Sequence, residues 1–244
     1  MVLAKRFLTI SALAIGAAGF GMAAPVAAGV VVKSSGPSAA KYKVGTKVAD
    51  NGTITLQAGD SVTVLTASGT RVISGAGTHA VGKRGPSKRS AFATLTRQRS
   101  GARVRTGAVR AGGTTAAARN PNLWNLDVEA PGKTCLASGD LVNLWRSDTD
   151  GEATYIFGTP SSDFHVHVTF DDGVSQASLS GEELPLDRMQ TYTISKPDGS
   201  PATQVEFVVL EDVPEDMEGL AQVLADNGCS AQLELLADRM MMRE

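Results

Sequence analysis

His165 and His167 stand two apart in Asp163-Phe164-His165-Val166-His167-Val168, a spacing that on a β-strand turns both imidazoles to one face, with Asp163 beside them. Two imidazoles can share a metal ion, but a catalytic zinc takes at least three protein ligands, and the third histidine, His79, belongs to a distant stretch of chain. An outward strand face, with Phe164, Val166 and Val168 turned inward, accounts for the same spacing. Asp148-Thr149-Asp150-Gly151-Glu152 resembles the start of a calcium loop, yet it lacks the third oxygen ligand before Gly and the Glu at the twelfth position. Asp150-Gly151 and Asp171-Asp172-Gly173 therefore read as hairpin turns. Nucleophile and phosphate signatures are fragments. Ser38-Ala39-Ala40-Lys41 matches Ser-x-x-Lys without its companion motifs, and Gly132-Lys133-Thr134 is the tail of a phosphate loop without the upstream Gly. No catalytic residue, metal site or cofactor is expected, and the chain reads as a non-enzyme.

Two other sets of residues carry more weight. Cys135 and Cys229 form an even pair, and in an oxidising compartment they would make one disulfide; two buried free thiols are the alternative. Closing a loop of this length stabilises a fold by about 4 kcal/mol on the chain-entropy model. The second set is basic. Residues 83–122 hold ten Lys/Arg and no acid, and Lys88, Arg89, Arg97, Arg99, Arg103, Arg105 and Arg110 are the candidate anion- or partner-binding residues. Aromatic side chains for base stacking are missing from this stretch, so nucleic acid is not the expected partner. Docking on an acidic envelope component, docking on an acidic part of the same chain, and a solvated linker all fit the pattern.

The compartment follows from the N-terminus. Lys5 and Arg6 precede an uncharged run from Phe7 to Ala28 that ends in small residues, the pattern of a secretory signal peptide. Cleavage is expected after Ala28, with Val26 at the minus-three position, in preference to Ala24, which would leave Pro25 past the scissile bond. An uncleaved membrane anchor is the competing reading, since about 20 apolar residues can span a bilayer. The expected location is periplasmic or secreted.

The elements that must position these residues divide by charge. Of the 244 residues, 42% are hydrophobic and 20% charged, which suits a globular protein. From 29 to 119 there are 15 Lys/Arg against two acids, net +13; from 120 to 244 there are 6 against 23, net −17. The first region contains the runs Val30-Val31-Val32, Thr53-Ile54-Thr55-Leu56, Ser61-Val62-Thr63-Val64-Leu65 and Thr70-Arg71-Val72-Ile73, separated by Gly, Pro and Asn turns, and predicts a small antiparallel β domain over 29–82. About 54 residues is marginal for independent folding. Residues 83–122 form a basic linker, with a short helix from about Ser90 to Arg99 that places Phe92 and Leu95 on one side and a Gly-rich connector after it.

Eight short runs at roughly ten-residue spacing between 123 and 212 predict an acidic β-sandwich, with Trp124, Leu126 and Val128 sharing an inward face. Over 213–244, Pro214 suits a first helical position and Met217, Leu220, Ala221 and Leu224 form one apolar stripe. After Asn227-Gly228, Ser230 can cap a second helix striped by Leu233, Leu236, Ala237 and Met240. The prediction is a mainly β protein: a small N-terminal β domain, a basic linker, and a C-terminal sandwich carrying a helical hairpin that Cys229 would pin to Cys135.

The turn-and-strand pattern Lys43-Val44-Gly45-Thr46-Lys47-Val48, Gly52-Thr53-Ile54-Thr55-Leu56, Ser61-Val62-Thr63-Val64-Leu65 and Ser68-Gly69-Thr70-Arg71-Val72 resembles the periplasmic FecR-like β domain. That resemblance implies a signalling module that relays ligand occupancy to a membrane partner. The expected function is periplasmic sensing or scaffolding through a protein or envelope ligand. The partners are an envelope or membrane-bound signalling protein, or an anionic cell-wall polymer such as peptidoglycan bound through the basic segment. An unrecognised cell-wall hydrolase using a histidine is the remaining alternative.

Overall fold

The computed structural model describes residues 27–49, 52–67, 69–82, 89–97, 119–160, 163–186 and 191–241, with backbone alone for 27, 28 and 89–91. Residues 1–26 and most of the basic linker lie outside the described residues.

The protein is mainly β. In the N-terminal lobe, β1 (Ala27–Ser35), β2 (Lys47–Ala49), β4 (Ser61–Thr66) and β5 (Gly69–Ser74) form an antiparallel sheet ordered β2-β1-β4-β5. The strands β3 (Thr53–Leu56) and β6 (Gly77–Ala80) pair separately. The run Val30-Val31-Val32 does not alternate with polar residues because both faces of this sheet are buried. Val31, Val62 and Val64 pack with Ile54, Leu56 and Val81 on one face, while Val30, Val32 and Leu65 point into a helical core on the other. β1 begins at Ala27, which pairs with Ala49 of β2.

Asp60, one of the two acids of this basic region, is buried and accepts N–H bonds from Ser38 (2.9 Å) and Gln57 (2.6 Å). Burial opposes its charge, but these bonds hold its carboxyl below the ordinary range. Gly36 is required beside it: φ is +96°, and a Cβ there would sit 2.5 Å from Asp60 Oδ1.

All eight expected strands of the second lobe form: β7 (Asn125–Asp127), β8 (Gly132–Leu136), β9 (Leu141–Trp145), β10 (Ala153–Gly158), β11 (His165–Phe170), β12 (Gln176–Ser180), β13 (Thr191–Ser195) and β14 (Thr203–Val209). They make a five-stranded sheet, β11-β10-β13-β14-β8, and a three-stranded sheet, β12-β9-β7. Two pairs, β14·β8 and β7·β9, are parallel. The core between the sheets includes Leu126, Val142 and Leu144 from the smaller sheet and Phe157, Phe170 and Phe207 from the larger. Trp124 departs from expectation. It precedes β7 and packs into the helical core, its indole N–H donating to Thr96 O at 2.7 Å.

The two Asp-Gly segments are not hairpins. β9 and β10 lie in different sheets, as do β11 and β12, so residues 146–152 and 171–175 are arches that cross between sheets side by side. Buried Arg146 clamps them: its Nε donates to Val174 O (2.8 Å), and its Nη2 to Gly151 O (2.8 Å) and Asp171 O (2.9 Å), with the guanidinium over the Phe170 ring. The positive charge at the centre of this acidic corner comes from a side chain.

Three helices complete the fold: α1 (Arg89–Thr96), α2 (Met217–Asp226) and α3 (Ser230–Arg239). α2 starts three residues after Pro214 because Asp216 is its N-cap, accepting from Gly219 N–H at 2.7 Å. The N-cap of α3 is Cys229, not Ser230, and its sulfur bonds to Cys135 with the Cα atoms 5.9 Å apart. Both expected stripes are buried. They do not rest on the sandwich alone. The helical core joins Leu220, Leu224, Leu233 and Leu236 to Val30, Val32 and Leu65 of the first lobe, to Leu95 of α1 and to Leu123 and Cys135 of the second. Thr70 of β5 locks the far end of α3, its N–H donating to Met240 O (2.8 Å) and its hydroxyl to Ala237 O (2.7 Å).

Candidate functional site

β8 is an edge strand, and an edge leaves backbone groups without a ladder partner. Gln232 of α3 supplies one. Its Oε1 accepts Cys135 N–H (2.7 Å), and its Nε2 donates to Cys135 O (2.8 Å) and Leu123 O (2.8 Å), so a buried side-chain amide closes the edge that the disulfide also grips. Along the outer side of this junction runs a cleft of about 310 Å³, walled by β7, by the connection from β7 into β8, and by α3.

The strand residues reach the cleft by alternation. Leu126 and Leu144 enter the sandwich core, so Asn125 and Asp127 of β7 and Trp145 of β9 stand on the opposite face, with Asp127 in register with Trp145. The three asparagines of Asn120-Pro121-Asn122-Leu123-Trp124-Asn125 have separate tasks. Asn120 Nδ2 donates to Asn125 O (2.8 Å), and Asn122 Oδ1 accepts Trp124 N–H (2.9 Å). Asn125 is only 7% exposed, and its Nδ2 has no hydrogen-bond partner. Burying such a donor unpaired costs about 1–3 kcal/mol.

Asp127 accepts Glu129 N–H through Oδ1 at 3.0 Å, and its carboxyl is nonetheless raised above the ordinary range, first by burial and then by the charge of Glu129. Arg119, Lys133 and Arg239 also line the cleft. Lys133 is paired with Glu206 (2.9 Å), and Arg239 Nη2 donates to Asn120 O (2.8 Å), which ties α3 to the approach into β7. The cleft sets a partly desolvated acid, Asp127, among cations of which Lys133 and Arg239 are held by their own partners.

A second constellation joins Glu129, Tyr155 and Lys196 beside a 200 Å³ hollow. Glu129 Oε1 accepts from Lys196 Nζ at 3.0 Å and from the Tyr155 hydroxyl at 3.3 Å. The Lys196 bond draws Glu129 below the ordinary carboxyl range, and the Glu129 bond raises Lys196; burial raises Tyr155. Each shift favours the group's ordinary charge state at neutral pH.

His165 and His167 project from the exposed face of β11, the outer strand of its sheet, with ring centroids 5.3 Å apart and Val168 turned into the core. Among the described residues no group of three His, Cys, Asp or Glu converges as a metal site would require. Of the candidate anion-binding residues, Arg97 is exposed at the end of α1 and Arg89 begins that helix. Lys88, Arg99, Arg103, Arg105 and Arg110 lie outside the described residues. Asn125, Asp127 and Arg239 carried no motif. The signal available was two polar residues at alternate positions in a short strand with apolar flanks.

No helix among the described residues is long and apolar enough to cross a membrane. No protein-family model matches the chain, and no curated protein is significantly similar to it.

Proposed function

We propose that the protein is an exported, disulfide-locked binding module that recognises an envelope ligand or a membrane-bound signalling protein without chemical turnover. The observation that carries this reading is the Cys135–Cys229 disulfide behind the cleft, a bond that persists in an oxidising compartment and fixes α3 against β8. Preorganisation of this kind favours binding, because little ordering remains to be done when a partner arrives. The FecR-like turn pattern of the N-terminal lobe supports a role in sensing or scaffolding.

Trapping free thiols in intact cells, then separating the envelope from the cytosol, tests export. The expected chain lacks its N-terminal segment, lies outside the cytosol and has both cysteines oxidised; a reduced full-length chain in the cytosol overturns the reading. Crosslinking in the same cells identifies the partner. A second reading, favoured by the +13 to −17 division of charge, is binding of peptidoglycan or another anionic polymer through the basic segment. It predicts salt-sensitive pelleting with cell wall that is lost when Arg97, Arg99, Arg103, Arg105 and Arg110 become Gln.

A further inference from the structure

We propose that His165 and His167, on the outer face of β11, form an open chelate for a late first-row divalent ion, zinc or copper, with water in its remaining positions. The inference is independent of the binding reading above, since β11 is the edge of the five-stranded sheet farthest from β8 and α3.

The rings arrive by alternation. Val168 and Phe170 enter the sandwich core, so His165 and His167 stand exposed on the opposite face. Metal–nitrogen bonds of about 2.0–2.1 Å put an ion about 3.2 Å from each ring centre, and two rings at a tetrahedral angle then lie about 5.2 Å apart. The observed 5.3 Å between centroids is the separation that one shared ion requires.

His165 is the ligand already set. Its Nδ1 lies 3.0 Å from Asp163 O, and because a carbonyl only accepts, Nδ1 carries the proton and Nε2 of the neutral ring keeps its lone pair. A carbonyl holding the second ring nitrogen is the usual support of a metal-ligating imidazole. The exposed His167 ring is free to turn and complete the pair. Room is left for the ion and its waters: His165 stands opposite Gly158 in register, where an added Cβ would approach Phe164 O at 3.5 Å and no described side chain beyond its chain neighbours within 4 Å. The net charge of −17 over residues 120–244 raises the cation concentration around this face.

The site is exchangeable and not a resident centre. A structural or catalytic zinc takes three or more protein ligands; here Thr169, next along the face, is bonded to Thr154 (2.9 Å), and no third imidazole or carboxylate converges among the described residues. A hard ion in the neighbouring acidic arches fits less well. Calcium needs about six to eight oxygens, whereas Asp148 Oδ1 accepts Asp150 N–H (2.9 Å) and Asp172 Oδ1 accepts Gly151 N–H (2.9 Å).

The test is a titration of metal-free, full-length, oxidised protein without an added histidine tag, using zinc chloride and following the imidazole signals of all three histidines by NMR. His165 and His167 should move together and saturate below about 1 mM zinc. His79 in the other lobe, its Nε2 lying 2.9 Å from Gly75 O, should stay still. Copper(II), read by broadening of the same two rings, should act at lower concentration than zinc, and magnesium should leave both rings unmoved. Because both side chains are exposed, His165→Ala and His167→Ala should keep the wild-type melting temperature while each weakens zinc binding at least about tenfold. Immobile His165 and His167 signals throughout the zinc titration overturn the proposal. So does a single variant that binds zinc as tightly as the wild type, since one histidine would then suffice, and so does magnesium moving the rings as zinc does, which would reduce the effect to attraction by the acidic surface.

Discussion

The second lobe closes its core between its own two sheets, whereas the central sheet of the first lobe has one face covered by β3 and Val81 and the other by helices from the opposite end of the chain. Both lobes are built from short strands and Gly turns, but only the sandwich is self-sufficient in apolar cover. A region of about 54 residues is marginal on its own, and here α2 and α3 supply a further apolar layer. The hairpin thus belongs to both lobes, anchored to one by Thr70 and to the other by Gln232 and the disulfide.

Core truncations should separate the lobes most strongly. Leu220→Ala and Phe157→Ala each remove a fully buried side chain and should cost about 2–5 kcal/mol, but with different footprints. Leu220→Ala should speed amide exchange first in β1, β4 and the hairpin, and Phe157→Ala first in β10 and β13. Equal acceleration of β10 by Leu220→Ala would break the comparison. Next comes Gln232→Leu, which strips two bonds from the β8 edge and one from Leu123 O and should lower stability by about 2–4 kcal/mol in urea unfolding. Thr70→Val removes one buried hydroxyl bond and should cost about 1–2 kcal/mol, felt in β5 and the end of α3 and not in the sandwich.

The smallest effect is electrostatic. Glu129→Gln breaks a partly exposed pair and should cost less than about 1 kcal/mol at neutral pH. Because Glu129 is held below its ordinary range, its contribution is present above an unfolded carboxyl value of about 4.3 and disappears as pH falls through the depressed folded value. Lys196 is raised, so its share persists at neutral pH and fades only as alkaline pH passes through its folded value. Variant and wild-type stabilities measured from neutral to strongly acidic pH should converge at the acid end.

Strand positions in the sandwich were legible because apolar alternation and turn residues recur at short intervals, and the helical stripes were legible because every stripe residue is buried. The disulfide partner was legible by number alone. What each face packs against was not. Val30-Val31-Val32 marks a strand but not a sheet buried on both sides, nor that the second cover comes from residues 217–240, and Trp124 follows the alternation of β7 while lying just outside it. The arches were misread as hairpins because Asp-Gly chemistry fixes a reversal without stating which sheet receives the next strand. The cleft was hidden for a related reason: Asn125 and Asp127 become a site only once α3 lies across from them.

The most direct measurement is amide exchange on the full-length protein, oxidised and then reduced. With the disulfide intact, β1, β4, α2 and α3 should open as one unit. Reduction should lower the opening free energy of that unit by about 2–4 kcal/mol while β10 and β13 change little. Exchange in β1 and β4 that is indifferent to reduction, or independent of the hairpin in the oxidised protein, would contradict a hairpin shared by both lobes.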